Sequence, residues 1–399
     1  MNIKLLFLLI GLVMLPQISE TIYTPSLPSI ASDLAAGASL TEATLSVYFL
    51  GFALGVAFWG AISDKIGRKK SMLLGLALYL LSCYLCFQAK SIYSLLGFRA
   101  AQGLGICVGS VITQTILRDI CSATERGKVF SIISGALAFS PAIGPLLGGY
   151  VSELFGWRAV FVLLTALGSL LFLLTLLVLK ETKPAQTVPP SFFSVKQTAK
   201  AMFTSSSFWG HVLLIGTTNG FIFCFYEEAP FIFIEQLGIS QGNYGLLGIV
   251  IASGILLSSL ISIFLSHKRS AEWFIEAGTF LAVVGACLFT IVASLGFLNA
   301  APLGLSVTIL SLGILFTGLG LIIPNSLSTA LANYQNVAGV AGSIFGGSYY
   351  LLIAALTYGM SLAHNGTLLA LPIYYLGLAT LLLIGYQAIS IFKLAHLEK

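Results

Sequence analysis

Two side chains of opposite charge lie inside apolar stretches in the first part of the chain. Glu20 follows an apolar run that begins after Lys4, and Arg99 lies within another such run. A charge at the centre of a membrane helix costs at least ~2.5 kcal/mol, so an acid kept at such a position indicates a function. At about 1.5 Å per residue, Glu20 lies ~24 Å along its helix and Arg99 lies ~12 Å along an antiparallel one. We therefore predict that the two charges reach similar depths and form a pair.

The chemistry expected of this pair is proton transfer. Pairing would offset the burial of both charges, and the affinity of Glu20 for a proton would depend on the balance between desolvation and the Arg99 charge. Glu20 would then be the proton carrier and Arg99 its partner. A static structural ion pair is the alternative that the residues leave open.

A second set of acids, Glu227 and Glu228, follows Tyr226 in a later apolar stretch. Adjacent residues on a helix point about 100° apart, so the two carboxylates cannot face the same direction. We expect one of them to line a cavity, where it would attract a cationic substrate or carry a proton, while the other faces a neighbouring helix or the outer leaflet. A solvated position at the membrane interface is the alternative.

The composition indicates which elements must position these charges. Of 399 residues, 57% are hydrophobic and 8% are charged, whereas soluble domains carry about 25% charged residues. A membrane helix needs ~20 mostly apolar residues, and continuous apolar runs without alternation disfavour a β-barrel. The sequence therefore predicts an all-α membrane protein with twelve transmembrane helices in two pseudo-symmetric six-helix bundles. The predicted spans are 4–31, 40–63, 70–89, 91–117, 127–152, 157–179, 207–236, 242–265, 272–294, 301–331, 337–361 and 367–393.

Lysine and arginine residues predict the orientation of these spans, because they are retained on the cytoplasmic side. Sixteen of the nineteen lie at the two termini or in the alternate loops 64–70, 118–128, 180–200 and 268–269. Both termini are therefore predicted to be cytoplasmic. The net charge of +5 follows from this asymmetry, so it gives no indication of nucleic-acid binding.

A polar, basic and proline-containing stretch divides the spans into two sets of six. We predict an N-terminal bundle at 1–180, a cytoplasmic linker at 181–206 and a C-terminal bundle at 207–399. Pro25 and Pro230 lie late in the first helix of each half, which favours an internal repeat. Transporters built from repeats bind their substrates at the repeat interface. Similarity through apolar composition alone is the alternative.

The loop from Gly60 to Lys70 combines two glycines, an acid and several basic residues. Gly67 permits a chain reversal with positive φ, and Asp64 can pair with Arg68. The spacing G-x-x-x-D-K-x-G-R-K-K resembles the loop between helices 2 and 3 of the major facilitator superfamily of transporters. That resemblance implies a latch for one side of an alternating-access cycle, with Asp64, Gly67 and Arg68 as gating residues. A purely topogenic loop is the alternative.

Two further stretches resemble motifs of the same superfamily. Arg99 to Gly105 is similar to its R-x-x-Q-G-x-G motif, and Ser140 to Gly149 is similar to the G-P-x-x-G-G signature of its drug:proton antiporters. The second resemblance implies a rocking helix pair and favours export over import. The gating residues that it implies are Gly144, Pro145, Gly148 and Gly149. Simple helix packing through small residues is the alternative.

The stretch from Ile22 to Pro28 is similar to the Y-L-P-A-L-P segment of the bicyclomycin-resistance (Bcr/CflA) family. Two features depart from that family. It usually has an aspartate where Thr21 stands, whereas here the acid is Glu20, one position earlier. It also has small residues where this chain has its adjacent glutamates. These extra acids imply a substrate range different from the neutral drug that names the family.

Polar and aromatic residues in the apolar stretches are the candidates for a substrate cavity, because transport pockets combine apolar walls with a few polar groups. Together with the adjacent glutamates they are Tyr23, Tyr48, Gln102, Gln114, Thr217, Asn219, Phe225, Tyr226 and Asn325. The four histidines are scattered, and the six cysteines read as small buried hydrophobes. We therefore expect no metal site and no cofactor beyond the proton gradient.

The resemblance implies a proton-coupled exporter of hydrophobic or cationic small molecules in a bacterial inner membrane. Its expected partners are the substrate, protons and the lipid bilayer, and it is expected to work as a monomer and not as an enzyme. A proton-coupled importer of a nutrient or siderophore with the same fold is the alternative.

Overall fold

The structure, a computed structural model, describes residues 2–121, 123–184, 192–296 and 303–397. Its regular elements are all helical, and these ranges contain no strand. The helices of the first half are α1 (Ile3–Thr21), α2 (Leu27–Asp33), α3 (Ala38–Ile66), α4 (Arg68–Phe87), α5 (Ile92–Ile106), α6 (Val108–Ile120), α7 (Ala123–Phe155) and α8 (Arg158–Val178). Those of the second half are α9 (Phe192–Phe203), α10 (Ser206–Pro230), α11 (Gln241–Gly245), α12 (Leu247–Leu265), α13 (Ala271–Ser294), α14 (Leu303–Ala330), α15 (Ala338–Ala363) and α16 (Ala370–Leu397).

The predicted all-α membrane fold is confirmed. Within the described residues, eleven helical segments are long and apolar enough to cross a membrane. The other predicted span, 127–152, lies inside α7, which is one helix of 33 residues. At about 1.5 Å per residue α7 is ~50 Å long, which exceeds the ~30 Å hydrocarbon core.

The first span is interrupted, and the interruption places Glu20 at a helix end. Helix α1 ends at Thr21, a 3₁₀ turn follows at Thr24–Ser26, and α2 continues to Asp33. Pro25 and Pro28 lie in the turn and at the start of α2, and proline cannot donate the backbone hydrogen bond that a continuous helix needs.

Helices α3 and α5 approach closely because glycines lie at their contact. A Cβ on Gly51 would overlap the carbonyl oxygen of Ala100, and a Cβ on Gly103 would overlap that of Tyr48. Small residues allow two membrane helices to pack backbone against backbone. This contact brings Arg99 on α5 against the ring of Tyr48 on α3.

The chain forms two compact units. The first comprises Met1–Phe192 together with Ser240–Leu246, so that it contains α1 to α8 and the short helix α11. The second comprises Phe193–Ile239 and Leu247–Lys399. In the first unit α11 packs on α7, and in the second α10 packs against α14, α15 and α16.

Part of the predicted polar linker is a helix, which its composition did not predict. Helix α9 covers residues 192–203 and is amphipathic. Met202 is fully buried and packs in an apolar cluster with Phe208, Val212 and Phe345. The prolines of the linker precede α9 and do not interrupt it. A proline-containing composition therefore did not exclude a helix in this part of the chain.

Candidate functional site

The carboxyl group of Glu20 lies in the interior of the first unit. The side chain is completely buried, and neither of its oxygens has a hydrogen-bond partner among the described residues. A buried carboxylate without a partner is costly, so protonation removes a large desolvation penalty. This is the environment that a proton carrier requires.

Arg99 is held by two aromatic rings and an amide. Its guanidinium carbon lies 3.9 Å from the ring centroid of Tyr23 and 4.3 Å from that of Tyr48. Its Nη1 donates a hydrogen bond to Oε1 of Gln102, whose Nε2 lies 3.0 Å from Sγ of Cys83. Stacking between two ring faces stabilises a desolvated cation by ~2 kcal/mol or more.

The predicted ion pair between Glu20 and Arg99 is not formed in this structure. No salt bridge joins the two side chains in the described part of the chain, and Nε and Nη2 of Arg99 lack hydrogen-bond partners there. The charge of Arg99 nevertheless acts on the Glu20 carboxyl through space. The guanidinium instead lies over the rings of Tyr23 and Tyr48 and donates a hydrogen bond to Gln102.

Hydroxyl groups connect the surrounding helices. Tyr23 shares a hydrogen bond of 3.1 Å with Thr44, and Tyr79 donates one of 3.3 Å to Ser19. The hydroxyl of Tyr48 donates to the carbonyl oxygen of Pro16 at 3.4 Å. Sequence reasoning missed Ser19, Thr44, Tyr79 and Cys83 as members of this group, because single hydroxyl and thiol side chains in apolar helices do not indicate which neighbours they contact.

The loop from Gly60 to Lys70 is built around a buried arginine, Arg68. Arg68 is bonded to Asp64 at 2.5 Å and to Asp119 at 3.0 Å, and its Nη1 donates to Oγ of Ser63 at 3.2 Å. Sequence reasoning predicted the pair with Asp64 but missed Asp119 at the end of α6. The available signal was an acid next to Arg118 at the end of an apolar span.

Glu181, which follows α8, is a second partner of this loop that sequence reasoning missed. Its carboxylate accepts hydrogen bonds from the backbone amides of Arg68 at 2.8 Å and Lys69 at 3.2 Å, which form the N-terminus of α4. It also accepts from the amides of Thr182 and Lys183. Although partial burial opposes ionisation, these amides lower the pKa of Glu181 below its ordinary value, so the carboxylate stays charged at neutral pH.

The same carboxylate explains why a glycine is required at position 67. Gly67 has φ +98°, a conformation that side chains resist, and a Cβ there would overlap Oε2 of Glu181. The predicted reversal with positive φ is therefore present. Its partner comes from a distant part of the chain, which explains why the motif alone did not indicate it.

The glycines of α7 are close-packing positions. A Cβ on Gly144 would overlap the hydroxyl of Thr21, and one on Gly148 would overlap the carbonyl oxygen of Ile22. A Cβ on Gly149 would overlap the carbonyl oxygen of Gln241 in the segment Ser240–Leu246 of the same unit. Pro145 is buried and offers its carbonyl oxygen to the contact with Gly245.

In the second unit, both adjacent glutamates are completely buried. Glu228 contacts Nδ1 of His364 at 2.8 Å. Neither carboxylate has the solvated position that was the alternative, and the expectation that one of them lines a cavity stays a prediction. Sequence reasoning missed the pairing of His364 with Glu228.

The other predicted cavity residues differ in burial. Tyr226, Thr217 and Phe225 are buried, whereas Gln114 on α6 is exposed. Asn219 and Asn325 are partly buried, and each donates to the carbonyl oxygen four residues earlier in its own helix, at 2.9 Å and 2.8 Å. Of these polar side chains, Asn219 and Asn325 are therefore engaged locally in this structure.

We expect Asp119→Asn to destabilise the structure around Arg68 more than Asp64→Asn does. The Asp119 side chain is 13% exposed and that of Asp64 is 34% exposed, while Arg68 is 4% exposed. Removing one partner of a buried ion pair costs ~3–5 kcal/mol, whereas exposed pairs contribute ~0–1 kcal/mol. Thermal unfolding of the purified protein in detergent measures the difference. Equal melting temperatures for the two variants would contradict a larger contribution of Asp119 than of Asp64.

Comparison with known proteins agrees with the all-α membrane fold described above. A sequence model described as "Major Facilitator Superfamily" matches residues 9–357. An uncharacterized transporter of Rickettsia bellii (strain RML369-C) is 34% identical over 372 residues, which cover 91% of this chain and 90% of that protein. The multidrug resistance protein MdtL of Klebsiella pneumoniae (strain 342) is 26% identical over 336 residues, with coverages of 84% and 83%.

A solved structure shows the same fold. The crystal structure of a D-xylose-proton symporter superposes with a TM-score of 0.75 at 15% identity, over 95% of this chain and 96% of that one.

Proposed function

The chain belongs to the Major Facilitator Superfamily and is therefore a transporter, and from this premise we propose that it is a proton-coupled exporter of small hydrophobic or cationic molecules. The observation that carries the proposal is the buried Glu20 carboxyl, which lacks a hydrogen-bond partner in the described part of the chain. The similarity to a multidrug resistance protein and the glycine signature of α7 support export. The stretch from Ile22 to Pro28 supports kinship with the bicyclomycin-resistance family.

The proposed coupling works through charge. When Glu20 is ionised, its carboxylate attracts Arg99, and protonation removes that attraction. Because Arg99 lies between the rings of Tyr23 and Tyr48, a change in its electrostatic environment acts on the segment after α1, on α3 and on α5 together. Each proton bound or released thereby shifts the relative free energies of two conformations, as population shift requires.

The proposed substrates follow from the second unit. Glu227 and Glu228 bring two buried acids to one turn of α10, and a buried negative charge favours a cationic ligand over an anionic one. Aromatic side chains beside them, such as Phe225 and Tyr226, offer apolar and cation–π contacts. We propose lipophilic cations as the first substrates to test.

The proposed setting is the inner membrane of a bacterium, with both termini and the gating loop in the cytoplasm. The distribution of lysine and arginine supports this orientation. The gate would comprise Asp64, Gly67 and Arg68, joined by Asp119 and Glu181. We propose that the protein works as a monomer, with protons, substrate and lipid as its partners and no cofactor.

The polarity of the proton gradient that drives transport tests the proposal. The purified protein is reconstituted in liposomes whose membrane potential is clamped with K⁺ and valinomycin. Radiolabelled tetraphenylphosphonium is added outside. We expect accumulation when the lumen is acidic, together with alkalinisation of a trapped pH dye, because the cation enters as protons leave.

Importers give the opposite result. Accumulation that requires an acidic exterior would favour the alternative, a proton-coupled importer. Protein-free liposomes measure passive uptake, and a panel of neutral hydrophobic drugs replaces the cation if no uptake occurs in either gradient. Absence of proton movement with every compound would contradict coupling.

A further inference from the structure

Helix α9 presents a surface that has no part in the transport mechanism proposed above. Lys196, Lys200 and Phe203 are spaced by four and three residues, so they lie on one face of the helix. Both lysines are exposed, and Phe203 is 47% exposed. Met202 packs in the apolar cluster of the second unit. The exposed face of α9 is therefore directed away from this cluster.

Trp209 extends this surface from α9 onto the first turn of α10. Its ring stacks on that of Phe203, with centroids 5.8 Å apart and an angle of 29°. Its indole Nε1 donates to the carbonyl oxygen of Phe203 at 2.9 Å. Trp209 is nevertheless 44% exposed, so the two aromatic rings form a fixed, accessible pair beside the two lysines. We call these four residues the basic-aromatic surface.

The positive charge of this surface is not compensated nearby. The chain has no aspartate or glutamate between Glu181 and Glu227. Within the described residues, no ion pair engages Lys196 or Lys200. A partner of negative charge is therefore missing from the part of the chain that the structure describes.

We propose that the basic-aromatic surface binds the headgroups of anionic phospholipids in the cytoplasmic leaflet. Trp209 lies three residues after the start of a membrane span at Ser206, which places it ~5 Å along the helix. Tryptophan favours this interfacial depth, and lysines beside it attract anionic lipids. An amphipathic helix with a basic face lies in the plane of the interface.

Lipid binding at this surface has a consequence for the linker. Met202 anchors α9 to the second unit, and the lipid contact would hold the opposite face of the helix to the membrane. Helix α9 would then be held on one face by the second unit and on the other by the membrane, and it could not move freely. This inference rests on the cytoplasmic orientation in the proposed function, but not on the substrate or on the direction of transport.

Quenching of Trp209 fluorescence by brominated lipids tests the proposal with the full chain. The protein is reconstituted in phosphatidylcholine containing a minor fraction of brominated phosphatidylglycerol or, in parallel, brominated phosphatidylcholine. The contribution of Trp209 is the difference between the wild type and Trp209→Phe. We expect brominated phosphatidylglycerol to quench more strongly, since each lysine should enrich the anionic lipid about fivefold.

Charge removal elsewhere provides the matched control. We expect Lys196→Gln/Lys200→Gln to abolish the excess quenching and Lys268→Gln/Arg269→Gln, which removes two charges from another basic loop, to preserve it. Equal quenching by both lipids, or an equal loss in the two double variants, overturns the proposal. Equal quenching by both lipids, together with a change in Trp209 fluorescence on adding RNA or an acidic protein, would assign the surface to a different partner and also overturn the proposal.

Orientation is measured separately, so that failure of the proposed function remains distinguishable. A membrane-impermeant maleimide should label Lys200→Cys above the parent protein in inverted vesicles and not in intact cells. Labelling in intact cells would contradict both the orientation and the cytoplasmic leaflet. Failure of proton-coupled export with a retained lipid preference would overturn the proposed function alone.

Discussion

Glu20→Gln is expected to abolish proton-driven transport while the protein remains folded. The amide has nearly the same shape as the carboxyl but cannot exchange a proton near neutral pH. Glu20 is completely buried, and neither oxygen has a hydrogen-bond partner among the described residues, so a neutral side chain there costs less than an ionised one. Accumulation of tetraphenylphosphonium against its gradient should fall to the level of protein-free liposomes, whereas the melting temperature should not decrease.

Two further measurements separate a proton carrier from a structural residue. Exchange of labelled for unlabelled substrate without a proton gradient should continue in Glu20→Gln, because exchange requires the conformational change but no net proton movement. Glu276→Gln removes an exposed acid from α13 and should leave both activities unchanged. If Glu20→Gln retained gradient-driven accumulation, Glu20 would not be the proton carrier, and the acids of α10 would become the candidates.

Arg99→Lys is the companion variant for the coupling. Lysine keeps the positive charge but lacks the planar guanidinium that stacks between Tyr23 and Tyr48 and donates to Gln102. If the stacked guanidinium transmits the charge of Glu20 to the helices, this variant should lose coupled transport despite its charge. If charge alone is sufficient, it should retain most of the activity.

The relation between Glu20 and Arg99 shows which part of the site follows from a sequence. Counting residues along two antiparallel helices placed both charges at similar depths, and the structure brings them close enough to interact through space. The count could not give the rotation of each helix. That rotation depends on glycine contacts such as Gly103 against Tyr48, which put the guanidinium onto tyrosine rings.

The residues around Arg68 show the same limit of prediction from sequence. Asp64 and Arg68 lie four residues apart, so local spacing predicts their pair. Asp119 and Glu181 come from α6 and from the residues after α8, and their approach depends on how four helices pack. Spans and loops were accessible to prediction because hydrophobicity is a local property, whereas partners distant along the chain were not.

Among the described glycines of α7, Gly148 is the position where substitution by alanine is expected to be most damaging. Its Cβ would overlap the carbonyl oxygen of Ile22, a backbone atom directly beyond the end of α1. Backbone cannot rotate away as a side chain can, so either α7 or the end of α1 must move. Overpacking of this kind costs ~1–3 kcal/mol or more, and it shifts the segment that carries Glu20. We expect a lower melting temperature and loss of coupled transport.

The same helix supplies a graded series with identical chemistry. A Cβ on Gly135 would meet no atom within 4 Å beyond the backbone of its own helix, so Gly135→Ala adds only the better helix propensity of alanine, ~1 kcal/mol. Gly144→Ala meets the hydroxyl of Thr21, a side-chain atom that can rotate, and should have an intermediate effect. Melting temperatures in the order Gly135→Ala, Gly144→Ala, Gly148→Ala, from highest to lowest, would show that contact with α1 sets the role of the glycine signature. If all three variants behaved alike, helix flexibility and not close packing would be the property that these glycines supply.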